Sequence, residues 1–189
     1  MNSETIEKHN FEMAKSVVEK RSILLINDNL DLSSYNGHLD ILKFLIKNGA
    51  DIHCWDDSPL RNASYRGHLE VVKFLIENGA NIHACDDQSL ITAIREEHYE
   101  VVKFLVENGA NIHARYDYAL RLASECNNKR IIIYLVEMGG DFNVCRKDHK
   151  NMIKGIIKQK QLEVNKVLLE STNMYPDVIN IVKEYINVV

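Results

Sequence analysis

The chain has no long hydrophobic run. Its longest uninterrupted apolar stretch, residues 131–136, is far too short to cross a bilayer, which takes about 20 residues as a helix, so no membrane partner is expected. Clustered Lys and Arg are also missing. The formal net charge is −4 with both signs interspersed, and phosphate binding needs a basic stripe that releases counterions, so nucleic acid is not expected as a partner either. Cysteine is sparse: Cys54, Cys85, Cys126 and Cys145 form no CxxC pair and no dense framework, which points to reduced thiols in a cytosolic or nuclear compartment. The opening "MNSETIEKHN" lacks the charged-then-apolar pattern of a secretory signal, in keeping with an intracellular location. Nothing supplies a nucleophile beside a base, a glycine-rich phosphate loop or an isolated pair of carboxylates. No enzyme activity, no cofactor and no metal site are expected.

What the chain does have is itself, several times over. A hydrophobic content of 46% over 189 residues is enough for a real core, and the pattern recurs with a period of 30: "GHLDILKFLIKNGADIHC" at 37–54, "GHLEVVKFLIENGANIHA" at 67–84, "EHYEVVKFLVENGANIHA" at 97–114 and a decayed "NKRIIIYLVEMGGDFNV" at 128–144. From His68 and His98 onward, 15 of 17 positions are identical, which excludes chance. A further copy, "QLEVNKVLLES" at 161–171, needs an offset of 93 rather than 90. "NFEMAKSVVEK" at 10–20 aligns two residues out of step as the second helix of an N-terminal capping unit. The expected division is a single domain, 1–189: a capping unit at 1–27, repeats at 28–57, 58–87, 88–117, 118–150 and 151–174, and a C-terminal capping helix at 175–189.

Each unit predicts two helices. In residues 69–78 the charged Glu70, Lys73 and Glu77 fall in one narrow stripe at 100° per residue and leave the rest of the circumference apolar. Such a helix must be covered on two sides, as between a preceding and a following copy. Asn78-Gly79 ends it, because glycine accepts the left-handed conformation after the cap. A shorter helix precedes it in "SPLRNASYRG", "QSLITAIREE" and "YALRLASECN", where Ser58 can cap, Pro59 suits a first helical position, and Ala63, Ala93 and Ala123 let the paired helices approach closely. The alternating "ANIHACDD" then suggests a small hairpin-like finger leading to the next unit.

The histidines recur at two repeat positions, His38/His68/His98 and His53/His83/His113. Equivalent residues in stacked units lie too far apart to share an ion with ligands at about 2.0–2.1 Å, so hydrogen bonds to neighbouring turns are their expected role. Asp56-Asp57, Asp86-Asp87 and Asp117 recur where a helix-opening turn wants an acceptor.

Helix, turn, helix and finger with the "GH…VV..L…GA" core resembles the ankyrin repeat family, over nearly all of residues 10–171, with "SPLRNA" at 58–63 closest to the family's opening. The shortened connectors with "NGADIHA"-like endings look like the ankyrin proteins of giant DNA viruses. The resemblance implies an all-α solenoid of stacked antiparallel helix pairs with short fingers, capped at both ends. It also implies a monomeric, non-enzymatic scaffold that binds a partner protein through a concave face made by the fingers and first helices, in a viral setting a modulator of host proteins. Those slots hold Trp55, Arg61, Asn62, Tyr65 and Arg66 in one unit. The next unit supplies Gln88, Thr92, Arg95 and Glu96, and the third Arg115, Tyr116, Tyr118, Arg121 and Glu125. Trp, Tyr and Arg dominate binding hot spots, and the arginines, unpaired within the periodic pattern, are the stronger candidates. An alternative comes from "YPDVINIVKEYI" at 175–186, which is similar to the opening helix of the F-box in viral ankyrin proteins and would make the chain a ubiquitin-ligase substrate adaptor.

Overall fold

The computed structural model describes residues 3–20 and 22–171; the capping helix expected at 175–189, with its F-box-like stretch, lies outside them. Among the described residues the regular structure is helical throughout. Helix α1 (Ser3–Glu19) is followed by four antiparallel pairs: α2 (Ile23–Asn36) with α3 (Leu39–Lys47), α4 (Cys54–Arg66) with α5 (Leu69–Glu77), α6 (Ala84–Arg95) with α7 (Tyr99–Glu107), and α8 (Ala114–Glu125) with α9 (Lys129–Glu137). A 3-10 turn (Phe142–Val144) leads to α10 (Lys147–Ser171). The chain divides after Arg146 into two compact units. In the first unit α2, α4, α6 and α8 pack in series, and α3, α5, α7 and α9 line up behind them with sparser contact from one to the next.

The core repeats as the sequence does. Leu30, Leu60, Leu90 and Leu120 from the first helices, and Leu45, Leu75, Leu105 and Leu135 from the second, are all essentially inaccessible. Equivalent positions thus carry the core from one helix pair to the next. A buried Leu cut to Ala costs about 2–5 kcal/mol, so every unit depends on its neighbours for its largest stabilising term. Ala63, Ala93 and Ala123 are fully buried, and at these positions each helix pair touches.

Two departures from the repeat scheme have local causes. The segment expected as a repeat at 151–174 contains no helix–turn–helix: α10 runs unbroken from Lys147 to Ser171, since "KGIIKQKQLE" has good helix formers where the other units have Gly-His or Asn-Gly stops. The finger also contains no strands. In its place three consecutive residues adopt left-handed helical angles: Trp55, Asp56 and Asp57 (φ 49°, 55°, 57°), and likewise Cys85–Asp86–Asp87 and Arg115–Tyr116–Asp117. Each is a single left-handed turn ahead of the right-handed helix.

The turn between paired helices shows how tightly units interlock. Gly37 and Gly67 sit at φ +76° and +73°, and a Cβ on either would lie 2.7 Å and 2.5 Å from the ring of His68 and His98 respectively. Those rings are fixed by Nε2–H donating to the carbonyl oxygens of Tyr35 and Tyr65, both at 3.0 Å. Burial lowers the pKa of His68, in keeping with a neutral donor. In the next unit Glu97 replaces the glycine at φ 60°, and there the histidine facing it is replaced by the smaller Asn128, whose amide instead donates to Glu97 Oε2 at 3.3 Å. Glycine and histidine leave together because they occupy the same space.

Gly67→Ala and Gly79→Ala therefore separate two effects in a denaturant melt. Both suffer left-handed strain of about 1 kcal/mol, but nothing lies within 4 Å of a Cβ at Gly79. Gly67→Ala is expected to cost about 1–3 kcal/mol more through overpacking, and adding His98→Asn should return most of that excess. Equal losses at the two glycines would show that the ring is not a constraint.

Candidate protein-binding face

The left-handed turns position the face, and a repeated clamp holds them. In each, a His side chain closes over the turn: His53, His83 and His113 Nδ1 lie 3.1, 3.0 and 2.7 Å from Oδ1 of Asp57, Asp87 and Asp117. The same Asp oxygen also ties the turn to the connector that leaves the second helix of the same pair. Asp57 Oδ1 accepts the backbone N–H of Asn81 at 2.7 Å, and Asp87 Oδ1 that of Asn111 at 2.8 Å. Asn27 Oδ1 does the same for Asp51 at 2.9 Å. Asp57 and Asp87 are buried. The recurring aspartates thus fasten the start of each first helix to the connector leading to the next unit, a larger role than the helix-opening acceptor expected of them. Where the pattern lapses, with Asn143 for His and Lys147 for Asp, the left-handed turn disappears: Cys145 is extended (φ −73°, ψ 163°), and Arg146 N–H donates to Ser124 Oγ at 3.0 Å.

All of the sequence-nominated residues lie on the first helices or their opening turns. Tyr116 is 89% exposed and Trp55 and Tyr65 about half that. The arginines are another matter. Arg61 donates to the carbonyl oxygens of Asp56 and Trp55 and approaches Cys85 Sγ at 3.5 Å. Arg115 holds Asp86 Oδ2 through Nε and Nη2 (3.2 and 3.0 Å) and Cys85 O. Arg121 donates to Arg115 O and lies over the Tyr118 ring, 5.4 Å from its centroid. Arg66 covers the Tyr35 ring at 4.9 Å. Four of the five arginines are thus engaged within the fold. Carbonyls of a left-handed turn point away from their own helix and need donors, which Arg61, Arg115 and Arg121 supply. Arg95 alone among the five has neither a hydrogen bond, an ion pair nor a ring contact with the described residues.

The polar candidates are similarly divided. Thr92 Oγ1 donates back to Gln88 O and Ser89 O, both at 3.0 Å, and Asn62 Nδ2 approaches Ser58 Oγ at 3.5 Å. These three, Gln88 included, are half-buried, Glu96 is half-buried, and Glu125 is exposed. The sequence reading missed α2. Leu25, Asp28, Leu32 and Tyr35 form an exposed stripe on it, each 30 residues before Trp55, Ser58, Asn62 and Tyr65, and that register was the available signal. Tyr35 stacks on Tyr65 with centroids 6.1 Å apart.

Among the described residues no three His, Cys, Asp or Glu side chains gather closely enough to hold a metal, and no helix is long and apolar enough to cross a membrane. The four cysteines are free thiols. Burial pushes Cys54 up to about 12, which leaves it inert as a nucleophile.

A family model described as ankyrin repeats (3 copies) matches residues 30–116. No curated protein matches the chain. With the helix-pair stacking above, the match gives this part of the chain the architecture of an ankyrin solenoid.

The clamp predicts a graded response at Asp87. Removing the acceptor with Asp87→Ala leaves the part-buried Asn111 N–H and the His83 ring without their partner and should cost about 1–3 kcal/mol in chemical unfolding. Asp87→Asn keeps an oxygen in place, as Asn27 does naturally, and should cost markedly less.

Proposed function

We propose that the chain is a non-enzymatic scaffold that binds a partner protein through the face made by its first helices and left-handed turns. Ankyrin repeats are in general protein–protein interaction modules. Closer packing between the first helices than between the second supports a stack that curves toward this face. The observation that carries the reading is the division of labour along each unit. Residues that join units recur every 30 positions, whereas the exposed residues of this face change from unit to unit: Tyr65, Arg95 and Glu125 share one repeat position, and Trp55, Cys85 and Arg115 another. Side chains released from packing are available for recognition, and exposed Trp, Tyr and Arg suit it. The likeness to viral ankyrin proteins extends the proposal to a modulator of host proteins in the cytoplasm or nucleus of an infected cell, acting as a monomer.

The test is affinity capture from a cell extract with mass-spectrometric identification. The combined variant Tyr65→Ala, Arg95→Glu, Tyr116→Ala should lose the partners that the parent chain captures. A second-helix control, Lys73→Glu with Glu107→Lys, should keep them, and both should retain the parent's circular dichroism. Capture of the same proteins by the triple variant would reject the face.

A further inference from the structure

Lysine is placed differently on α10 than in the helix pairs. Lys15, Lys73 and Lys103 each meet a glutamate of their own helix, and Arg130 meets Glu100 of the preceding unit. Between 147 and 160 there are five lysines against Asp148 alone. They are spread out and make no run, which is why the sequence shows no basic cluster, but the helix gathers four of them. At 100° per residue Lys147, Lys150, Lys154 and Lys158 fall within about 80° of arc. Asp148 and Glu163 lie away from that arc, as do the buried His149 and Ile153. Lys150 is half-buried and the other three lysines are exposed. None of the four makes an ion pair or hydrogen bond with the described residues. Like charges three and four residues apart destabilise a helix, so the stripe carries a repulsion that an anion alongside would relieve.

The anion that fits is narrow and regular. Successive lysines rise about 4.5, 6 and 6 Å along the axis, the steps at which a second helix presents Glu or Asp spaced three, four and four apart. Ile157 and Val164, 48% and 52% exposed, border the stripe one heptad apart, where a helix alongside would place its own apolar contacts. A bilayer fits poorly, because Met152, Ile153 and Ile156, the residues that would enter it, are withdrawn from solvent. A nucleic acid fits poorly too. No Phe, Tyr or Trp lies between 147 and 171 to stack a base, and the chain's net charge of −4 opposes so long a polyanion. An acidic segment as narrow as the stripe is governed mainly by charges within a Debye length, about 8 Å.

We infer that the lysine stripe of α10 is a second interaction surface, separate from the face proposed above, and that it takes an acidic helix of a partner protein. That helix carries carboxylates at i, i+3, i+7 and i+11 and apolar residues opposite Ile157 and Val164.

The full chain is titrated with a labelled helical peptide that has glutamates at those positions and leucines in that register, read by fluorescence anisotropy. A peptide of the same composition with its glutamates scattered round the helix is the register control. The matched peptide should bind about tenfold more tightly, the sum of several individually weak exposed pairs. Lys150→Gln with Lys154→Gln and Lys158→Gln should abolish that preference and, relieved of repulsion, be no less helical than the parent. Lys47→Gln with Lys73→Gln and Lys103→Gln changes the net charge equally and should keep the preference. The Tyr65/Arg95/Tyr116 variant should bind the peptide as the parent does, so the two surfaces stand or fall separately. Equal affinity for the two peptides, an equal loss in the second-helix lysine variant, a loss in the Tyr65/Arg95/Tyr116 variant, reduced helicity in the α10 variant, or tighter binding to phosphatidylserine vesicles or a short DNA duplex than to the matched peptide would overturn the inference.

Discussion

After α3, α5 and α7 one backbone N–H of the connector finds its acceptor in a buried side-chain oxygen near the start of the same pair's first helix. Asn27, Asp57 and Asp87 serve Asp51, Asn81 and Asn111 in turn. Between pairs, His68 and His98 donate to carbonyls of the preceding first helices. Apolar burial drives the helix pairs together, but it is non-directional. The first set of bonds fixes the connector from which the next pair starts, and the histidines fix the register in which one pair meets the next, so the place of each unit is a property of the stack.

The same bonds set the form of the connector. Three non-glycine residues in left-handed angles cost roughly 1–2 kcal/mol each, and such strain persists only where the surroundings determine it. The His–Asp clamp, the bond to the outgoing connector and, in the second repeat, the Arg61 donors provide that determination. The one connector lacking both His and Asp is extended instead. The turn then projects its first two residues, Trp55–Asp56, Cys85–Asp86 or Arg115–Tyr116, away from the core, which is why these positions can vary while Asp57, Asp87 and Asp117 do not. Recognition and assembly share a segment but use different residues within it.

The helix pairs, their boundaries near Gly67 and Gly79, and the small Ala63, Ala93 and Ala123 contacts were legible because they follow from period, stops and size. The left-handed turns were not: "ANIHACDD" alternates like a strand, and contacts with a connector 24 residues further along decide its angles. The unbroken α10 was missed because similarity of "QLEVNKVLLES" to a second helix says nothing of whether a turn precedes it. Among site residues, Trp55, Tyr65, Arg95 and Tyr116 are exposed. Arg61 and Arg115 are held within the fold, Arg61 by carbonyls, which leave no mark in a charge pattern, and Arg115 chiefly by Asp86 of the preceding unit. The exposed stripe on α2 escaped because its unit lacks a connector of the repeated type, so its register with Trp55 and Tyr65 was not sought.

Amide hydrogen exchange at Asp51, Asn81 and Asn111 tests the account most directly. These residues have exposed side chains in connecting segments, where amides ordinarily exchange fast. If a carboxylate or amide oxygen from the first helix of the same pair receives each N–H, all three should exchange as slowly as the helices they follow, and Asn111 should lose its protection in Asp87→Ala. Exchange at the rate of the neighbouring Gly49, Gly79 and Gly109 amides in an unfolded reference would contradict it.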